Sequence, residues 1–272
     1  MQTVEANGLK FAYLEWGQGP LVLMCHGFPD TAHTWDFAGP KIAERGFRVV
    51  APYLRGYAPT TVVKTNTTSR ELGEDVVALI RALGSSKAHL VGHDWGAEAV
   101  AAAAGLAPEK LSSLTMVAIP HRMSFQLTPS LLWKARHFAT LRFPGALAGF
   151  MKNDFAEAEA LCRRWSPTWK LTPDDLKHVK EAFRVEGSAN AALGYYRGTA
   201  AVTPRFMRGR IAVPTLAIAG ADDPTVEPSD FEAARSQFSG RYEVAVIGGG
   251  HFCHRESPDD FVKALGAFLK TV

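Results

Sequence analysis

The segment that most constrains the fold is a strand that passes directly into a helix through a tight turn. Residues 90–97 read LVGHDWGA, and an alanine-rich run continues to Leu106. Asp94 stands between small residues, with Gly92 before it and Gly96 after it. Small neighbours are needed where a central residue adopts a strained backbone conformation that lifts its side chain clear of a sheet. The segment therefore predicts a strand–turn–helix unit of an α/β sheet with Asp94 at its tip.

Two roles are open to Asp94 on this segment alone. A helix N-terminus offers free amides and the positive end of the helix dipole, so an ionised carboxylate is stabilised there and can act as a nucleophile. An aspartate just before a helix also commonly caps the helix with its side chain. The turn does not decide between these roles, and the choice depends on residues elsewhere in the chain.

Strand and helix patterns alternate through most of the chain. Apolar runs typical of strands occur at residues 11–16, 21–25, 47–51, 88–91, 114–119, 215–219 and 242–246. Helical spacing occurs at residues 35–45, 72–83, 97–106, 231–238 and 261–269. We expect the first of these strands to lie at an edge. The alternation predicts a mostly parallel, doubly wound sheet.

One long segment breaks this pattern. Between residues 120 and 205 the strand signals disappear, and the sequence becomes helical, rich in tryptophan and interrupted by prolines. We therefore predict an α/β core formed by residues 1–119 and 206–272, with a helical cap inserted at residues 120–205. A chain of 272 residues is long enough for one such core with an insertion.

Composition excludes several classes of function. The formal net charge is only +3 and the basic residues are scattered, which gives no continuous footprint for nucleic acid. No apolar run reaches the length of a membrane span, and residues 1–16 lack a signal-peptide pattern, so we expect a cytoplasmic protein with no membrane partner. The three cysteines are an odd set without metal-like spacing, which favours buried free thiols. The sequence does not specify an oligomeric state, although it is compatible with a homodimer.

Candidate partners for Asp94 follow in the order acid, then histidine, that this type of turn requires. A predicted strand ends just before Asp222 and Asp223, at the carboxyl end where active sites of open α/β sheets lie. The next strand ends in a glycine-rich loop before His251, which we expect to be the general base. We choose Asp223 to orient His251, although Asp222 also fits the pattern. We expect His254 to be a partly exposed loop histidine.

A fourth element is the motif His-Gly-Phe-Pro at residues 26–29, directly after the first buried strand. In a fold of this type the backbone amides of Phe28 and Trp95 would form the oxyanion hole. The Phe28–Pro29 peptide bond is a candidate for the cis form. Taken alone, the motif is equally compatible with a plain turn.

The combined motifs resemble one branch of a known superfamily. They are HGFP at 26–29, RGY at 55–57, GHDWG at 92–96, RWSP at 164–167 and GHF at 250–252. Each is weak alone, but their order and spacing are similar to those of the epoxide hydrolases among the α/β-hydrolases, over essentially the whole chain. The resemblance implies the α/β-hydrolase fold with an inserted helical cap and favours Asp94 as the nucleophile.

In that family two cap side chains, usually tyrosines, hold and protonate the epoxide oxygen. Residues 192–197 resemble the segment that carries the second tyrosine, which assigns the role to Tyr196 with Tyr195 as the fallback. Counting back from the cap proline Pro144 to the first tyrosine position leads to His137, where the sequence departs from the usual pattern. An imidazole N–H can also donate to an alkoxide oxygen. A solvated helix residue remains the alternative interpretation of His137.

The resemblance implies hydrolysis of a small hydrophobic epoxide to a vicinal diol, with water as the second substrate. Asp94 would form a covalent ester while Tyr196 and His137 stabilise the alkoxide, and His251, oriented by Asp223, would activate the water. No metal or organic cofactor is required. A carboxylate is already ionised at neutral pH and can displace groups at saturated carbon, which disfavours esterase, lipase or amidase activity.

Two other functions remain open. Haloalkane dehalogenases use the same nucleophile and hold the halide with an indole like that of Trp95. One subgroup also needs an asparagine where Phe28 stands, and another needs a cap tryptophan, for which the candidates are Trp133, Trp165 and Trp169. Fluoroacetate dehalogenases resemble this chain at His137 but carry arginines where Trp95 and Glu98 stand. These arginines would bind the carboxylate of the substrate, so an anionic haloacid is a poor candidate. The second of the two functions is a non-catalytic small-molecule binder on the same fold.

Overall fold

The computed structural model describes residues 1–124, 133, 136–200 and 202–272. Its strands are β1 Gln2–Ala6, β2 Leu9–Trp16, β3 Leu21–Cys25, β4 Arg48–Pro52, β5 Ala88–His93, β6 Leu111–Val117, β7 Thr215–Gly220 and β8 Tyr242–Ile247. They form an eight-stranded sheet in the order β1-β2-β4-β3-β5-β6-β7-β8. β2 pairs antiparallel with β1 and β4, and the remaining neighbours are parallel. The predicted mostly parallel α/β sheet is confirmed.

The helices that the structure describes are α1 Ala38–Ala43, α2 Ser69–Ala82, α3 Trp95–Leu106, α4 Arg136–Arg142, α5 Ala146–Trp165, α6 Lys177–Arg184, α7 Ser188–Gly198, α8 Pro228–Ala233, α9 Cys253–Glu256 and α10 Pro258–Leu269. α2 packs against α3, and α1 packs against α10. The helix predicted at residues 35–45 is divided into a 3-10 turn at Ala32–Trp35 and the short α1. None of the described helices is both long and apolar enough to cross a membrane.

Two local expectations have different outcomes. β2 is not an edge strand, because β1 pairs along its outer side, and the polar sequence QTVEA of β1 gave no strand signal. The helix α2 begins directly after its N-cap, Thr68. Thr68 and Glu71 form a reciprocal capping box that satisfies the first amides of the helix. Cys25, Cys162 and Cys253 are buried free thiols, as expected.

The helices α4 to α7 lie between β6 and β7 in the chain, and we call them the insert. Within α5 the backbone leaves helical geometry over residues 152–155, so this element is two helices joined across a kink. The insert falls within the predicted cap at residues 120–205, and the boundaries of that cap stay a prediction.

The insert is fixed to the core by buried hydrogen bonds from α7. The hydroxyl of Tyr195 donates to the Arg55 carbonyl over 2.7 Å. The hydroxyl of Ser188 donates to the Gly56 carbonyl over 2.9 Å and accepts from the Ala58 amide over 3.1 Å. These bonds satisfy backbone groups of a core loop that would otherwise be buried without partners. The position of α7 therefore depends on the conformation of this loop.

A buried ion pair also holds this core loop, through its residue Arg55. Arg55 donates to both carboxylate oxygens of Asp75, over 2.6 and 2.7 Å, and to Glu71 over 3.0 Å. The side chains of Arg55 and Asp75 are only 7% and 3% exposed. Asn7 adds a hydrogen bond of 2.7 Å to Asp75. Removing the guanidinium would leave the carboxylate buried with a single amide donor.

We predict that Arg55→Met lowers the free energy of unfolding by about 3–5 kcal/mol, because it leaves the Asp75 charge uncompensated in the interior. Urea titration of the parent and the variant measures this loss. Arg70→Met is the matched control, since the ion pair of Arg70 with Glu74 is exposed and is worth less than about 1 kcal/mol. Equal losses in the two variants would contradict the role assigned to the buried pair.

Candidate active site

Asp94 lies in the turn between β5 and α3, with a φ of 51° and a ψ of −116°. A Cβ atom at Gly92 would collide with the backbone of Gly96, and a Cβ atom at Gly27 would collide with Asp94 itself. The turn therefore requires glycine where the sequence has it. The Asp94 side chain makes no capping hydrogen bond to α3. The capping interpretation is wrong, and the carboxylate is directed elsewhere.

The Asp94 carboxylate has a different partner at each oxygen. Oδ1 accepts a hydrogen bond from the Phe28 amide over 2.7 Å. Oδ2 lies 3.4 Å from Nε2 of His251, an ion-pair distance longer than a good hydrogen bond. The side chain of Asp94 is 13% exposed, so it is desolvated but within reach of a small molecule. The structure thus brings together a predicted nucleophile, a predicted base and a predicted oxyanion donor.

The second carboxylate of the site is Asp223, which directly follows the turn after β7. Its Oδ2 accepts a hydrogen bond from Nδ1 of His251 over 2.9 Å. Its Oδ1 accepts from the amide and the hydroxyl of Thr225, over 2.7 and 2.6 Å. Asp223 is buried, whereas Asp222 is exposed. The geometry favours Asp223 over Asp222 as the partner of His251.

The charge of His251 is set by these two carboxylates. Burial by itself lowers the pKa of the imidazole, but Asp223 and then Asp94 outweigh burial and raise the pKa to about 10. His251 is therefore an imidazolium at neutral pH while Asp94 is ionised. Any step that neutralises Asp94 therefore lowers the pKa of His251.

The loop that carries His251 is held by hydrogen bonds from the core and from the insert. Nε2 of His93, the residue before Asp94, contacts the His251 carbonyl at 2.9 Å. The His251 amide donates to the Trp165 carbonyl over 2.8 Å, and the Phe252 amide donates to the Ser166 hydroxyl over 2.9 Å. Trp165 and Ser166 belong to the RWSP motif, whose role sequence reasoning left open. Their hydrogen bonds hold the backbone of His251 in place.

His254 is buried, so the expectation of a partly exposed loop histidine is wrong. Its Nε2 lies 2.7 Å from the Thr34 hydroxyl, and its ring centroid lies 4.3 Å from that of His93. Burial lowers the pKa of both His254 and His93 well below the usual range, so both are neutral. Both are therefore uncharged rings close to His251. A helix that starts at Cys253 turns the loop inward and buries His254.

Tyr196 faces the site from α7. Its ring packs edge-on against Phe28 and Trp95, with centroids 5.3 and 5.1 Å apart. Burial, followed by the negative charge of Asp94, raises the pKa of Tyr196 well above the ordinary value, while a hydrogen bond from the Trp95 side chain opposes the rise. The phenol is therefore protonated. Tyr195 points away and donates to the core, as described above, so the geometry favours Tyr196 over this fallback.

His137 lies on α4 beside Tyr196, with ring centroids 6.1 Å apart. Its ring is also 4.8 Å from that of Trp165, which in turn lies 5.4 Å from that of His251. Of these rings, those of His137 and Trp165 line a cavity of about 270 Å³, together with Trp133, Arg136, Arg164, Pro224 and Thr225. His137 is half-buried at this cavity. The solvated-helix interpretation therefore fits its position less well than a role at the site.

The HGFP loop is shaped by a neutral histidine. His26 accepts from the Leu54 amide at Nε2 over 3.0 Å and contacts the Gly27 carbonyl through Nδ1 at 2.8 Å. Burial lowers the pKa of His26 to about 4, so the ring bridges two loops without a charge. The Phe28–Pro29 peptide bond is cis, as expected. The Trp95 amide follows Asp94 at the start of α3, and its role as the second oxyanion donor stays a prediction.

Two residues near the reacting groups were missed by sequence reasoning. The Tyr57 hydroxyl is fully buried with no hydrogen-bond partner among the described residues. Burial first, and then the neighbouring groups Tyr196 and Asp94, raise the pKa of this phenol well above its ordinary value. Thr225 holds Asp223 in place. The RGY motif contained a signal for Tyr57, but nothing in the local sequence marked Thr225.

Comparisons with known proteins identify the family of this chain. Residues 20–258 match the family described as alpha/beta hydrolase fold. The chain therefore belongs to the α/β-hydrolase family. Epoxide hydrolase A of Mycobacterium tuberculosis is 28% identical, and the similarity covers 98% of this chain and 96% of that protein.

Solved structures give the same relationship. A Bacillus megaterium epoxide hydrolase in complex with an inhibitor superposes with a TM-score of 0.88 at 25% identity, covering 99% of this chain and all (100%) of that one. An epoxide hydrolase from Vigna radiata has a TM-score of 0.85 at 27% identity, covering 100% of this chain and 98% of that one. The chain is an epoxide hydrolase-like member of its family, as the sequence motifs indicated.

We predict that His251 makes stability depend on pH. Its folded pKa of about 10 lies above the ~6.5 of an unfolded histidine. Its contribution is therefore complete below pH ~6.5 and is lost as the pH rises toward 10. Urea unfolding between pH ~6 and ~10 should give a stability difference between the parent and His251→Gln that shrinks as the pH rises. A difference that stays constant across this window would contradict the assigned charge state.

Proposed function

We propose that this chain hydrolyses small hydrophobic epoxides to vicinal diols through a covalent ester on Asp94. The observation that carries the proposal is the carboxylate of Asp94, which lies between the Phe28 amide and His251 with the protonated phenol of Tyr196 nearby. The names of relatives that match nearly the whole chain support the same reaction. The aromatic surroundings, with Phe28 and Trp95 against Tyr196, suit an apolar substrate.

In the first step Asp94 opens the epoxide ring. Oδ2 attacks a ring carbon, because Oδ1 is already occupied by the Phe28 amide. The carbon–oxygen bond of the ring breaks, and the released oxygen takes the proton of Tyr196. A positioned phenol lowers the barrier because it neutralises charge that develops only as the ring opens. The product is a hydroxyalkyl ester of Asp94 and a phenolate at Tyr196.

Ester formation changes the charge state of His251. The ester of Asp94 is neutral, so one of the two charges that raised the pKa of His251 is removed. The imidazolium then gives up its proton to the phenolate of Tyr196, which restores the phenol. His251 is now neutral and oriented by Asp223. The base that the second step needs is therefore generated by the first step.

In the second step His251 takes a proton from water, and the hydroxide adds to the ester carbonyl carbon of Asp94. The charge that develops on Oδ1 is stabilised by the Phe28 amide and by the amide of Trp95. The carbon–oxygen bond of the ester breaks, and the diol leaves with the proton of the new carboxyl group. Asp94 returns as a carboxylate beside a charged His251, as at the start.

His137 is the proposed second donor to the epoxide oxygen. Its ring lines the cavity and lies near the ring of Tyr196, on the helix α4, which packs against α7. An imidazole N–H donates a hydrogen bond as a phenol does, so His137 can share the developing negative charge with Tyr196. In this assignment the insert supplies both groups that bind the epoxide oxygen.

The rival functions are less well supported. A haloalkane dehalogenase would need the Trp95 indole for the halide, and that ring packs edge-on against Tyr196, the proposed proton donor to an epoxide. It would also need a second halide donor: Phe28 provides only an apolar ring beside its amide, whereas the cap tryptophans Trp133 and Trp165 line the cavity and stay open as donors. A non-catalytic binder has no need of the buried contact between His251 and Asp223.

We predict that His251→Gln accumulates the covalent intermediate. Without the imidazole the ring still opens, but the ester is hydrolysed slowly. Incubation with a styrene-type epoxide, followed by proteolysis and mass spectrometry, should find the peptide with Asp94 heavier by the mass of the whole epoxide. A haloalkane that left only its alkyl group on this peptide would instead support dehalogenation.

Asp222→Asn is the control for the acidic partner. Asp222 is exposed and Asp223 is buried against His251, so Asp222→Asn should turn over epoxide as the parent does and Asp223→Asn should not. In the His251→Gln experiment, an adduct on any residue other than Asp94 would contradict the mechanism. So would the absence of an adduct with a substrate that the parent consumes.

We predict that Tyr196→Phe slows ring opening by about 100-fold or more, since it removes a general acid. Tyr195→Phe is the matched control, because its hydroxyl bonds to the core. That change should cost about 1–3 kcal/mol of stability and leave the rate of ester formation nearly unchanged. Single-turnover rates separate the two variants. A Tyr196→Phe variant as fast as the parent would remove this phenol from the mechanism.

A further inference from the structure

A second group of metal-ligating side chains lies where the core meets the insert. It consists of His33 in the 3-10 turn Ala32–Trp35, Asp36 directly after that turn, and His178 in α6. One ligand atom from each of the three lies within 4.8 Å of the others. The mechanism described above uses none of these residues. We call this group the junction cluster.

The two imidazoles of the junction cluster are stacked, with ring centroids 3.6 Å apart and an interplanar angle of 16°. Each ring has a carboxylate on Nδ1. His33 contacts Asp36 at 2.7 Å, and His178 contacts Glu181 at 2.9 Å. A carboxylate can only accept, so each Nδ1 donates to its carboxylate, and Nε2 is the ring nitrogen left to face an ion. Glu181 holds His178 as outer carboxylates commonly hold metal-binding histidines.

The charge and the accessibility of the junction cluster also suit a cation. The carboxyl groups of Asp36 and Glu181 lie beside the two imidazoles, and carboxylates attract a positive ion. The side chains of His33, Asp36 and His178 are 24%, 52% and 38% exposed, so an ion can enter from solvent. Imidazole nitrogen favours zinc or nickel over magnesium or calcium, which prefer oxygen ligands.

We propose that His33, Asp36 and His178 bind a divalent transition-metal ion of the zinc or nickel type, with Glu181 orienting His178. Ligand atoms around tetrahedral zinc are about 3.4 Å apart, so binding must draw the three ligand atoms together and tilt the two stacked rings until their Nε2 lone pairs converge. The exposed side chains of Asp36 and His178 can rotate to do so, and Asp36 then leaves Nδ1 of His33. Because His33 belongs to the core and His178 to the insert, the ion would join the two, and α6 packs on α7. The metal would thus restrain the part of the insert that carries Tyr196.

Isothermal titration with zinc chloride tests the proposal on the full chain after treatment with a chelator. The parent should bind one zinc ion, and His33→Gln and His178→Gln should each lose at least about 100-fold in affinity. Glu181→Gln should lose about 10–100-fold, because it acts through His178. His137→Gln is the matched control, since it removes a half-buried histidine of the insert outside the cluster. It should bind zinc as the parent does.

A second measurement ties the ion to its predicted place. Zinc should slow amide hydrogen exchange in α6 in the parent and leave it unchanged in His178→Gln, while circular dichroism verifies that each variant is folded. Tight zinc binding that survives in both His33→Gln and His178→Gln would overturn the proposal. So would a parent chain that takes up no zinc, or one that binds magnesium equally well.

Discussion

The rest of the site depends on the electrostatic interaction of the Asp94 carboxylate with His251 and Tyr196. The turn after β5 has positive φ and closely packed glycines, and it places the carboxylate between an amide and an imidazolium. The same charge acts on two titratable neighbours. It helps to raise the pKa of His251 and the pKa of Tyr196. While Asp94 is ionised, both neighbours therefore hold their protons.

In the proposed mechanism this coupling orders the two chemical steps. Neutralisation of Asp94 by ester formation lowers the pKa of His251, and a proton then passes from His251 to the phenolate of Tyr196, which is the stronger base. His251 can act as the general base only after the ester has formed, because it carries its proton until then. The resting imidazolium is consistent with this order, because it cannot activate water before the substrate has reacted. The strained turn thus controls proton transfers beyond its own residue.

Core and insert are interdependent at this site. The core provides Asp94, Asp223 and His251, but the amide of His251 is held by the Trp165 carbonyl of the insert. The insert provides Tyr196, and α7 is held in turn by a core loop that rests on the buried Arg55 pair. Motion of the insert would therefore shift both the proposed proton donor, Tyr196, and the proposed base, His251.

The sequence predicted the features that short segments encode. Small residues around Asp94, strand ends before Asp223 and His251, and the alternation of strands and helices all follow from local requirements of the backbone. Contacts between distant segments could not be predicted in this way. The burial of His254 against Trp35 and His93 joins segments that are far apart in the chain, and so does the packing of Tyr57 against Tyr195 of α7.

Single turnover in heavy-oxygen water tests the central claim most directly, because it follows the oxygen atoms of Asp94. With enzyme in excess over a small epoxide, the account predicts a diol without the heavy isotope. One oxygen of that diol comes from the epoxide and the other from Asp94, whose peptide then carries the heavy isotope. A diol labelled in the first turnover, with an unlabelled Asp94 peptide, would mean that water attacks the epoxide directly and would contradict the account.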